Sequence, residues 1–167
     1  MLLKLRRRVK LQKRIMLIAT NKGQSLFELI VAVAFISLVV LAVIGLATKS
    51  IDNSSFSRNR TLASRYTQSA VEWLRSQRDN DWNAFASRAQ GGRTWCLRTL
   101  TSFNNPGPCG SGEYVLGTNN FWREAILDYN PGPPPRVEAT VITSWRGSSD
   151  KIHESRATTV FTNWKAE

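Results

Sequence analysis

The chain divides by the texture of its hydrophobic and polar positions. Residues 29–48 form an apolar run without a single charge, and the only side chains in it that carry a polar atom are Ser37 and Thr48. At about 1.5 Å per residue this run is roughly 30 Å long as a helix, which matches the hydrocarbon core of a bilayer. Beyond it the pattern becomes amphipathic: Ile51, Leu62, Tyr66, Ala70, Trp73 and Leu74 share one helical stripe, with Arg58, Arg60, Arg65, Arg75 and Arg78 on the other side. No proline precedes Pro106, so one helix is expected from residue 24 to about Arg78, ending near Asp79-Asn80-Asp81.

After residue 80 the texture changes to short runs of Thr, Val, Trp and Phe separated by Gly, Pro and Asn, the pattern of antiparallel strands. Expected strands are 94–101, 113–116, 121–128, 136–145 and 157–164. In 136–145, Val137, Ala139, Val141, Thr143 and Trp145 alternate with Glu138, Thr140 and Ile142, which gives one buried face and one wetter face. The fold class is therefore α+β, a long helix on a small antiparallel sheet. A head of this size needs cover from the amphipathic half of the helix.

Charge changes the picture at the amino terminus. Residues 1–23 hold Lys4, Arg6, Arg7, Arg8, Lys10, Lys13, Arg14 and Lys22 and no acid, so that end is expected on the cytoplasmic side and the rest outside. The whole chain carries +11, but residues 24–167 hold fifteen basic and twelve acidic side chains, a net +3. The basic character is mostly a topology signal, and polyanion binding would need the charge on the working domain.

The order of features also excludes an ordinary secretory leader, whose cleavage site follows the apolar stretch; here the basic residues, Gly23 and the polar pair Gln24-Ser25 precede it. Glu28 stands alone at the head of the apolar run, where an unpaired acid is costly. The sequence Lys22-Gly23, then Gln24-Ser25-Leu26-Phe27-Glu28, then an apolar helix resembles the leader of type IV pilins and pseudopilins. The resemblance covers about twenty-five residues and departs from the family in having Gln24 where Phe or Met is common and no helix-breaking proline, Gly45 lying near its place.

The resemblance implies a pilin-like fold and four parts: a basic leader (1–23), a membrane and assembly half of the helix (24–48), an amphipathic half (49–79) and a sheet head (80–167). It implies prepilin peptidase as a partner, cleaving between Gly23 and Gln24 and methylating the new Gln24 amine. It implies other pilin subunits as further partners, Glu28 pairing with the Gln24 amine of a neighbour, since a buried carboxylate and ammonium are tolerable only together. The expected life cycle is a single pass in the cytoplasmic membrane with the head outside, then an extracellular filament. The expected function is that of a structural subunit, a minor pilin or pseudopilin, not an enzyme and without a cofactor. A start at Met16 would give the compact leader 16–23.

Each of these features also has a plainer meaning. Glu28 could be a solvated acid favoured by the helix dipole, Gly23 a turn residue, and the chain an anchored extracytoplasmic domain that never polymerises. A DNA-binding minor pilin is the other alternative, because Trp95, Trp122 and Trp145 lie near Arg98, Arg123 and Arg146, a composition suited to stacking on single-stranded bases. The contrasting expectation is that the tryptophans are core and subunit contacts, with the arginines on the wet face of the strands.

Cys96 and Cys109, the only cysteines, are expected to form a disulfide outside the cytoplasm, against the alternatives of two free thiols or a metal site. His153 is expected in a solvated loop and no catalytic triad is available to it. Asp79, Asn80 and Asp81 are expected to end the helix, with calcium as the alternative. Residues 131–135, Pro-Gly-Pro-Pro-Pro, read as a stiff connection between strands rather than a polyproline ligand.

Overall fold

In a computed structural model the described residues are 24–148 and 150–164; the side chains of Gln24 and Ser25 are not described. Helix α1 spans Gln24–Asn80 and the short helix α2 spans Trp82–Arg88. Four strands follow: β1 (Arg93–Cys96), β2 (Phe121–Asn130), β3 (Arg136–Arg146) and β4 (Ile152–Thr162). They form one antiparallel sheet in the order β1-β2-β3-β4, so the chain meanders from one edge to the other.

The chain has two compact units, one up to Ile51 and one from Asp52 onward. In the first, the described apolar side chains of α1 from Leu26 to Leu46 are exposed, with Val31 alone half-buried among them. This helix is long and apolar enough to cross a membrane.

In the second unit, the 52–80 part of α1 lies on the sheet. Its buried line is Ala63, Thr67, Ala70 and Leu74, with Leu62, Tyr66 and Trp73 half-buried on the flanks. The expected stripe was displaced toward these flanks. Small residues take the centre because they let the helix axis approach the sheet, where Ala125, Ala139 and Thr143 face it. Ile51, expected on the stripe, is instead 67% exposed and belongs to the first unit. Arg58, Arg60, Arg65 and Arg75 lie on the exposed side as expected, but Arg78 does not: its guanidinium sits 5.4 Å from the centre of the Phe161 ring and pairs with Asp79 at 2.8 Å.

The alternation in β3 is as expected, with Val137, Ala139, Val141, Thr143 and Trp145 buried. The main core joins Val137, Ala139 and Val141 to Leu74, Phe85, Leu97, Leu127 and Phe161, and a second cluster gathers Ala63, Val115, Phe121 and Trp145. Three expected elements differ. The strand expected over 94–101 ends at Cys96, because the Leu97 carbonyl is taken by the Arg123 side chain instead of a neighbouring strand. The segment 113–116 is not a strand. Glu113 is turned in to bond Gly110 N and Asn105 Nδ2, leaving Val115 and Leu116 one backbone bond each to the sheet region. The last strand begins at Ile152 rather than 157, since the tight turn closed by the Gly147 N–H donating to the Lys151 carbonyl (2.8 Å) carries the polar residues 152–156 straight into register with β3.

Helix α2 was not expected. Asp81 caps it, accepting a hydrogen bond from Ala84 N at 3.0 Å, and Phe85 and Ala86 bury its inner face.

Candidate functional site

The first candidate site is the exposed apolar stretch of α1 and the acid at its head. Gln24 opens the helix and Glu28 lies one turn on, so the two positions share a face. Gly23, the expected cleavage position, lies outside the described residues. Glu28 is exposed and makes no ion pair among the described residues. After it the helix offers only carbon to its surroundings. Ser37 Oγ donates to the Val33 carbonyl at 2.8 Å and Thr48 Oγ1 to the Ile44 carbonyl at 3.0 Å, so both hydroxyls of the run satisfy themselves within the helix. The helix passes through Gly45 unbroken, and a Cβ there would meet nothing within 4 Å. Among the described side chains of residues 26–48, Glu28 is thus the one polar group whose needs the helix itself does not meet.

The head contains the other expected residues. Cys96 and Cys109 are joined as a disulfide with their Cα atoms 4.8 Å apart. The bridge fastens the 97–109 loop to β1, reinforced by Cys109 N donating to Glu124 Oε1 at 2.7 Å and by backbone pairing of Cys96 and Gly107 with Asn105 and Thr94. No protein family, curated protein or solved structure matches this chain.

Arg123 overturns the expectation of an arginine on the wet face. It is only 3% exposed and faces α1: Nε and Nη2 donate to the Leu97 carbonyl at 3.2 and 3.1 Å, and Nη1 donates to the Tyr66 carbonyl at 3.1 Å and to Ser69 Oγ at 3.3 Å. Burial pulls its pKa down from the ordinary guanidinium value to about 10, partly offset by Tyr66, so it remains charged at neutral pH. It clamps helix, strand and loop together. Trp95 and Trp145 are buried, Trp122 is half-buried, Arg98 is exposed and Arg146 pairs with Asp150 at 2.8 Å.

His153 is also placed differently from expectation. It lies in β4, not in a loop, with its ring stacked on Trp145 (5.4 Å between centroids) and Phe56 against its edge at 5.0 Å. A Cβ at Gly147 would come within 2.8 Å of its Nε2, so the glycine makes room for the ring. Asp79 accepts from Arg78 and from Trp164 Nε1 (3.0 Å) while Asp81 caps α2, so this trio ends one helix and starts the next. The Pro-rich 131–135 segment connects β2 to β3.

Sequence reasoning missed Arg123 as a core residue, although a signal was present: it has the same parity in β2 as Phe121, Ala125 and Leu127, all buried.

Proposed function

We propose that this chain is a pilin-like structural subunit, a minor pilin or pseudopilin of a type IV pilus-like filament, whose role is assembly and not catalysis. The carrying observation is the exposed apolar helix from Leu26 to Leu46 with a single acid, Glu28, at its head and no partner for it among the described residues. A large exposed apolar surface calls for lipid or protein cover, and an acid beside it calls for a cation. In the proposed route prepilin peptidase cuts after Gly23, the new amine of Gln24 is methylated, and the subunit waits in the cytoplasmic membrane with its head outside. Extraction into the filament replaces lipid by neighbouring helices. Glu28 then faces the Gln24 amine of an adjacent subunit, where the pair forms in a medium that makes either charge alone unfavourable.

The head's disulfide supports the same placement, because such bonds persist outside the cytoplasm. Glu28→Ala tests the pairing. The variant is expected to insert, to be cleaved and to keep a folded head, while filaments at the cell surface fall below detection by electron microscopy. Normal filaments from Glu28→Ala would contradict the pairing mechanism, and a parent chain that forms no filaments would favour an anchored domain that does not polymerise.

A further inference from the structure

The sheet has two edges, and they are not equivalent. The outer edge of β1 is occupied: Cys96 N donates to the Asn105 carbonyl, Gly107 N donates to the Thr94 carbonyl, and Trp95 bridges to Pro106. β4 is the other edge, eleven residues long, with β3 on one side and, among the described residues, no strand on the other. The hydrogen-bond phase follows from the turn. Gly147 bonds Lys151, so Lys151, His153, Ser155 and the odd positions after them direct their backbone groups at β3. Ile152, Glu154, Arg156, Thr158 and Val160 direct theirs outward, and their side chains are the exposed set of the strand.

An unpaired edge of this length is a template for another strand unless something blunts it. The charges on β4 do not blunt it uniformly. Glu154 and Arg156 sit two residues apart on the exposed face, 3.2 Å apart at their closest atoms, each about half exposed. Laid antiparallel against a copy of itself, β4 meets like charges when the pairing is centred on Glu154 or on Arg156. Centred on Ser155, it sets each Glu154 opposite the partner's Arg156, and the hydrogen-bonded pairs are all from the outward-directed set. That register pairs Ile152 with Thr158 and Glu154 with Arg156, twice each, for roughly eight ladder hydrogen bonds.

We infer that β4 is a self-pairing edge, through which two copies of this chain join their sheets antiparallel about Ser155. Since β1 is covered, a second copy can extend the sheet only with its own β4. The contact is therefore isologous and closes at two chains. It does not depend on the filament reading. Phe56 lies against His153 near the start of β4, and Arg78 against Phe161 near its end, so this part of α1 runs along β4 in the same direction. A two-fold axis normal to the joined sheets reverses one of these segments relative to the other. The contact thus joins subunits of opposite polarity and does not repeat along one filament.

Sedimentation equilibrium of the full chain in detergent micelles tests the inference. The parent is expected to show a monomer–dimer equilibrium. Glu154→Arg and Arg156→Glu, each of which sets like charges opposite one another, are expected to weaken it about tenfold or more. Glu154→Arg combined with Arg156→Glu is expected to restore the parent value. Thr158→Pro, which removes an outward N–H and the exposed Thr140–Thr158 hydroxyl bond (3.0 Å) but leaves the backbone bonds to β3 in place, is expected to abolish the dimer. Glu28→Ala is expected to leave the equilibrium unchanged, so failure of helix pairing and failure of edge pairing are told apart. A monomeric parent, single charge reversals without effect, or a double reversal as weak as the single ones would each overturn the inference.

Discussion

Arg123 shows what one residue does for this head. Its guanidinium supplies donors in a rigid fork to carbonyls from α1 and from the residue after β1, and it stands between Phe121 and Ala125 on the buried face of β2. Lysine presents a single point charge and cannot reach the Leu97 and Tyr66 carbonyls together. Arg123→Lys is therefore expected to lower the unfolding free energy by about 2 kcal/mol, read from denaturant unfolding followed by tryptophan fluorescence. An unchanged midpoint would show that the clamp carries no net stability. The parity of Arg123 in β2 made its burial legible, yet a lone arginine in a strand ordinarily marks the solvent face, and no sequence pattern reveals that Leu97 and Tyr66 would present their carbonyls to it. His153 hid for a similar reason: its neighbours Asp150, Lys151 and Glu154 are polar, while its ring partners Trp145 and Phe56 are remote in sequence.

At the level of elements, what was legible is what repeats. The long helix, the buried alternation of β3 and the strand at β2 follow from periodicity and burial, which act along many residues at once. What was not legible depends on distant partners: the early end of β1, the irregular 113–116 segment, and the start of β4, whose polar residues become a strand only because β3 is already there to pair with. Helix α2 is a local feature that was overlooked, since Asp81 three residues before Ala84 is a cap signal in its own right. Asp81→Ala is expected to cost about 1 kcal/mol of head stability, measured by thermal unfolding, with no loss of the disulfide. A change within error would mean that burial of Phe85 alone holds this turn.

For the molecule as a whole, the candidate site was more legible than the head, because it is written in consecutive residues: eight basic side chains without an acid before Gly23, then Gln24 to Glu28, then an apolar run that can span a membrane. In the proposed assembly route, hydrophobic cover, charge pairing and topology all act there on one short stretch. In the proposed route the amino-terminal segment is a topology signal that is discarded, which leaves a product with a net charge of +3 instead of +11. Intact-mass spectrometry of the chain purified from membranes tests this most directly. The mass expected is that of residues 24–167 with the Cys96–Cys109 disulfide and one added methyl group on the Gln24 amine. A native chain that retains residues 1–23 would contradict the account.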